Sequence, residues 1–149
     1  MADPTIHASA VLVGSKAVLI RGPSGSGKSR LAWDLIEAAA QGALPFARLV
    51  ADDRVHLDVQ SGRLLIRPAP QLAGMLEIRG LGIRRLAFEP LAVVGLVVDL
   101  TAEDAARLPA PEACRAVICG LSLPRLAVAA GQAAFPLVLA SLRTIPTGD

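Results

Sequence analysis

Gly22-Pro23-Ser24-Gly25-Ser26-Gly27-Lys28-Ser29 fills every fixed position of the nucleotide phosphate-binding pattern G-x-x-x-x-G-K-[ST]. That pattern works only between a buried strand and a helix, and both flanks have the right character. Residues 11–20 are apolar and rich in β-branched side chains, with Gly14-Ser15-Lys16 as a turn between two short strands. Beyond the loop, Leu31, Leu35, Ile36 and Ala39 recur at the i, i+4, i+5, i+8 spacing of one helical face, and Gly42 with Pro45 marks where that helix stops. The helix is expected to begin at Lys28 and Ser29.

This geometry accounts for the residue types. Backbone N–H groups of a glycine-rich turn point inward, and the first amides of the new helix lack partners, so an anion is favoured there. Lys28 then reaches the β and γ phosphates as a fixed cation, and the Ser29 hydroxyl ligates a Mg2+ bridging the same oxygens. ATP and Mg2+ are the expected cofactors. The plainer alternative is a Gly/Ser turn that caps a helix and binds nothing.

The 149 residues suit one domain, and 53% hydrophobic against 19% charged residues place the chain among folded proteins. No stretch reaches the ~20 uninterrupted apolar residues of a membrane span. Met1-Ala2-Asp3-Pro4-Thr5 lacks the basic-then-apolar order of a secretory signal, which points to the cytoplasm. A net charge of +2, no tyrosine and one tryptophan argue against nucleic acid as a partner. Cys114 and Cys119, five apart, match neither a zinc spacing nor a disulfide framework, and are expected to be reduced and packed. Arg79, Arg84 and Arg85 form a local positive cluster, either a solvated loop or a contact for phosphate or an acidic protein surface.

No repeat or linker divides the chain. Residues 48–51 read as a short buried strand, and 55–59 with 64–67 as a hairpin that Pro68 and Pro70 bring to an end. Residues 75–78 precede a loop with two glycines at 79–82. Strands follow at 93–100, 116–119 and 126–128, and a closing helix reaches Arg143 from a start at Pro136.

Phosphoryl transfer needs oxygen ligands for a metal and a group to accept the proton of the attacking hydroxyl. Asp52 and Asp53 follow the apolar Leu49-Val50-Ala51, as an acidic pair at a strand end beside the phosphate loop would. Either can be the base, and a turn or helix cap is the competing account. Glu77 stands before Arg79-Gly80, where it can add an oxygen ligand to the metal. His56, inside a strand, reads as a partly exposed structural residue, and His7 by itself carries no assignment.

His7, the loop 22–29, Leu49-Val50-Ala51-Asp52-Asp53-Arg54-Val55 and Leu76-Glu77-Ile78-Arg79-Gly80-Leu81-Gly82-Ile83 together resemble the catalytic domain of bacterial HPr kinase/phosphorylase. A weaker likeness continues through residues 123–128. The resemblance implies an α/β fold, a P-loop domain of the phosphoenolpyruvate-carboxykinase-like type with mixed β-sheets and flanking helices. It implies an ATP-dependent kinase that phosphorylates a serine of HPr, the phosphocarrier of the sugar phosphotransferase system, and often reverses the reaction by phosphorolysis. By the same transfer, Asp53 with Asp52 beside it matches the proton-accepting aspartate, Lys28 the phosphate lysine, Ser29 and Glu77 the magnesium ligands, and His7 an active-site histidine. The resemblance also implies a short form lacking the amino-terminal domain of longer members, and a hexameric assembly. By the resemblance, Gln132 stands after Gly131 where longer members have a catalytic arginine, so phosphorolysis and a full kinase rate depend on Arg125, Arg79 or a neighbouring subunit to supply that charge. Without such a cation, the chain is expected to act as an ATP-binding sensor; a P-loop kinase for another acceptor is the remaining alternative.

Overall fold

Apolar residues run without interruption from Ala17 to Ile20 along the strand that feeds the loop, so both of its faces must be covered. In the computed structural model, which describes residues 5–147, the strands are β1 (Thr5–His7), β2 (Ser9–Val13), β3 (Lys16–Arg21), β4 (Ala47–Ala51), β5 (Arg54–Gln60), β6 (Arg63–Pro68), β7 (Met75–Ile78), β8 (Gly82–Arg85), β9 (Ala92–Asp99), β10 (Arg115–Ile118) and β11 (Leu121–Ala127). Two α-helices, α1 (Lys28–Ala40) and α2 (Ala134–Arg143), complete the set. Met1 to Pro4, on which the reading for a secretory signal mostly rests, lie outside the described residues.

The period of two in β3 divides the core. Ala17 and Leu19 pack on one face with Val50, Val55, Leu64, Ile66 and Val97, while Val18 and Ile20 pack on the other with Leu31 and Leu35 of α1 and Val138 of α2. Leu19 and Ile20 are wholly buried, each worth about 2–3 kcal/mol relative to exposure.

Nine strands form one sheet, in the order β1-β5-β6-β9-β3-β2-β4, with β11 joining β9 and β10 joining β11. One edge of β9 is shared: its start pairs antiparallel with β6 and its end parallel with β11. β3 is parallel to β9, and β2 is antiparallel to both β3 and β4. Hence β3, β4, β9 and β11 all deliver their carboxyl ends to one edge, the edge where ligands of open α/β sheets bind. β7 and β8 form a separate hairpin, fastened by Leu76, which is fully buried beside α1.

Several expectations need adjustment. α2 starts at Ala134, because Pro136 sits in the first turn, where its missing N–H has no helical acceptor to lose. Pro68 closes β6 opposite Val55 as the strand's last residue. β11 begins at Leu121, five residues before the expected 126, since Pro124 falls where pairing passes from β10 to β9. Residues 82–85 form a strand that takes in the end of the expected 79–82 loop, and neither this strand nor β1 is marked by the sequence pattern. Both cysteines are unpaired, but Cys119 is exposed on the β10–β11 turn and does not pack. Among the described residues no helix is long and apolar enough to cross a membrane.

Candidate active site

β3 ends at Arg21, and the loop returns the chain to start α1 at Lys28, as the motif requires. Gly27 precedes the helix at φ 101°, with no side-chain cap and no acidic residue in the first turn. The leading amides therefore remain available to an anion. At Gly22 a Cβ would come within 2.6 Å of Ser26 Oγ and 3.0 Å of Leu100 Cβ, so only glycine fits the tight return. Lys28 Nζ arches back over the loop and donates to the carbonyls of Gly22 at 2.8 Å and Pro23 at 3.1 Å. Ser26 Oγ is buried without a partner. A cradle with an unpartnered hydroxyl, free amides and a lysine held only by carbonyls fits a phosphate chain.

Beyond β4 the backbone turns sharply, with Arg54 N–H bonded to Asp52 O at 2.9 Å and Asp53 between them at φ 74°. This three-residue γ-turn with positive φ is rare and strained. It sends the two acids apart. Asp52 turns inward and is 7% exposed, accepting from Ser9 Oγ at 2.6 Å and the Glu77 amide at 3.2 Å, with Ser29 Oγ 2.8 and 2.9 Å from its two oxygens. Asp53 stands outward, 64% exposed, with its Oδ1 3.6 Å from His7 Nδ1. That separation exceeds a hydrogen bond and lies within ion-pair range.

Two cavities meet at these residues. The larger, about 810 Å³, is lined by Ser9, Ser24 to Arg30, Trp33, Ile78 and Arg79. The smaller, about 350 Å³, has an apolar wall of Leu72, Met75 and Ile83. Ser29, Asp52, Asp53 and Glu77 line both. Gly22 and Pro23 line neither, and they contribute carbonyls to Lys28 instead. His7 also lines neither, and reaches the site through Asp53. Among the described residues no three His, Cys, Asp or Glu side chains converge on a metal position. Such a sparse donor set suits Mg2+, which takes one or two protein oxygens and completes its shell from phosphate and water.

Sequence reasoning missed Ser9 and a cluster at the end of β9. Asp99 accepts from Arg21 Nε at 2.7 Å and from Arg125 Nε at 2.5 Å, and Arg125 continues to Asp104 at 2.8 Å and to the Ala113 carbonyl. Burial pushes the Asp99 carboxyl up, but the hydrogen bonds and charges of Arg21 and Arg125 outweigh it and hold the group below its ordinary 3.8. An arginine closing one buried strand and an aspartate closing another was the available signal. With its side chain 13% exposed and committed to two carboxylates, Arg125 is not free to replace the missing arginine. Gln132 closes the turn before α2, accepting from and donating to Ala129. Arg79 and Arg30 both line the larger cavity, together with the phosphate loop.

Comparison with known families matches residues 1–88 to the HPr Serine kinase C-terminal domain. The chain belongs to this family. The match covers His7, the loop, both acids and Glu77, and ends before Asp99, Arg125 and Gln132. HPr kinase/phosphorylase of Pediococcus pentosaceus is 44% identical over 80 residues, 53% of this chain and 23% of that protein. The protein of the same name from Lactobacillus delbrueckii subsp. bulgaricus is 31% identical over 136 residues, 83% of this chain and 40% of its own length. The chain thus spans less than half the length of these curated relatives. The solved structure of the Hpr(Ser) kinase/phosphatase from Coxiella burnetii superposes with a TM-score of 0.74 at 24% identity, covering 95% of this chain and 89% of that one. This likeness establishes the fold, a mixed α/β domain with a curled mixed sheet and two helices.

Proposed function

We propose that this member of the HPr serine kinase family is an ATP-dependent kinase that phosphorylates a serine of HPr. The observation that carries the proposal is the meeting of the two cavities at Ser29, Asp52, Asp53 and Glu77. Nucleotide phosphates enter the larger cavity against the loop amides and Lys28, while the acceptor hydroxyl enters the smaller one along Leu72, Met75 and Ile83. Asp53, the exposed acid, accepts the hydroxyl proton as the serine oxygen bonds to the γ-phosphorus and the bond to the β-phosphate oxygen breaks, releasing ADP. His7 stands beside Asp53 and steadies it. Lys28 leaves its loop carbonyls to neutralise the phosphates, and Arg79, which lines the same cavity as Arg30 does, supplies a further cation. Ser29 and Glu77 would hold Mg2+, which when bound neutralises charge on the phosphate oxygens.

A cytoplasmic setting and a homo-oligomer, hexameric by family resemblance, belong to the same proposal. The test is purified protein with HPr, Mg2+ and γ-labelled ATP, run in both directions, with phosphate added for the reverse. Labelled phosphoserine on HPr supports the proposal; its absence with an intact nucleotide site refutes it. A second reading, an ATP-binding sensor without transfer, is favoured by the commitment of Gln132 to its own turn and of Arg125 to Asp99. It requires ATP binding with no phosphoserine formed on HPr. Transfer to a different acceptor alone would favour a P-loop kinase of other specificity.

A further inference from the structure

Among the described residues only two polar or charged side chains are buried, Ser9 and Asp52, and they are bonded to each other. Ser9, the first residue of β2, is 0% exposed, flanked in sequence by the buried Ala8 and Ala10 and paired across to Ile20 of β3. An alanine would fill the same space. The hydroxyl is the only addition, and a buried hydroxyl is tolerated only with a partner. Its partner is Asp52 Oδ1, 43 residues away in sequence. The register between β2 and β4 shifts at Ala10 and Val11, and this irregularity sets Ala51 opposite Ala10, so the end of β4 is aimed at Ser9.

We infer that Ser9 is a positioning residue for phosphoryl transfer, fixing Asp52 from β2 so that Asp52 holds Ser29 and Glu77 in place; the inference rests on the proposed kinase reading for its kinetic consequence. The terminal torsion of an aspartate is soft, so a carboxylate needs donors on several sides to keep one orientation. Ser29 and the Glu77 amide approach from the cavity elements, α1 and β7, and Ser9 alone approaches from β2. With the carboxylate fixed, the Ser29 hydroxyl hydrogen is directed to Asp52 and its lone pairs face the cavity. The same carboxylate ties the backbone of Glu77, and with it the β7–β8 hairpin, to the end of β4. Ser9 stands in the wall of the larger cavity behind Asp52 and is 0% exposed, so it offers no open surface to nucleotide or acceptor. Binding through the loop amides and Lys28 should survive its loss, whereas alignment should not.

The test is Ser9→Ala beside Ser9→Thr, read by steady-state kinetics with HPr and by the 15N–1H resonance of the Glu77 amide. Ser9→Ala is expected to lower kcat about tenfold, as displacement of an aligned group does, with KM for Mg·ATP within about twofold of the parent. The Glu77 amide proton moves in the alanine variant and returns towards its parent position in the threonine variant, which keeps the hydroxyl. A parent-like kcat with an unmoved Glu77 amide overturns the inference. Resonance changes spread evenly along β2 and β4, with kcat and KM both impaired, also overturn it, since they report loosened packing. If the parent protein transfers nothing to HPr, the kinase reading fails, and the amide still decides: movement on Ser9→Ala supports the positioning of Asp52, and none refutes it.

Discussion

Two aspartates stand at the carboxyl edge of one sheet and are held in opposite ways. Asp52 follows β4 and is met by neutral donors, two hydroxyls and an amide, with the exposed Asp53 at its side. Asp99 ends β9 and is clamped between Arg21 and Arg125. A carboxylate between two guanidinium groups has its charge answered inside the fold, and it locks strand ends together. One met by hydroxyls and an amide is oriented without that compensation. The same residue type at equivalent places is clamped by cations in one case and oriented by neutral donors at a cavity in the other.

The largest effect should come from the loop that lies between these acids. Lys28→Ala is expected to weaken Mg·ATP binding about 1,000-fold or more, about 4 kcal/mol, in a calorimetric titration. Parent-like binding would mean that this edge of the sheet holds no phosphate, and the contrast between its acids would lose its meaning. Next, Asp99→Asn should lower stability by about 2–3 kcal/mol in denaturant unfolding, because two partly buried arginines lose their shared counter-charge. Transfer per folded molecule should change little, and a selective loss of kcat would move Asp99 into the working set.

The pH dependence sharpens the same point. Asp99 is held below its ordinary 3.8 by Arg21 and Arg125 against the opposing push of burial. A depressed carboxyl contributes stability above its unfolded value and loses it as pH falls through the still lower folded value. The stability gap between the parent and Asp99→Asn should therefore be flat from neutrality to about pH 5 and close below about pH 4. A gap that widens on acidification would contradict the clamp. The smallest effect belongs to His56→Ala, which should leave transfer nearly unchanged in the HPr assay, since His56 lines neither cavity.

What was legible in the sequence was what is local or periodic. The loop, the start of α1 and the apolar strands announce themselves within a dozen residues, because glycine geometry and alternation are short-range rules. β8 was hidden because all four of its residues are exposed, which removes the alternation that marks a strand. β11 was cut short by Pro124, harmless only because the strand changes partner there. Asp52 and Asp53 were found as a pair, but their opposite exposure depends on a γ-turn at Asp53 that residue types do not dictate. Ser9 with Asp52, and Arg21 with Asp99, are 43 and 78 residues apart, and only the folded sheet makes them neighbours.

The most direct test of the account is the rate at which Asp53→Asn transfers the γ-phosphoryl group to HPr at saturating Mg·ATP. The account predicts a fall of about 100- to 10,000-fold, the range for losing a positioned proton acceptor, with ATP affinity retained. A rate within a few-fold of the parent would contradict it, and the exposed acid at the end of β4 would then be no part of the chemistry.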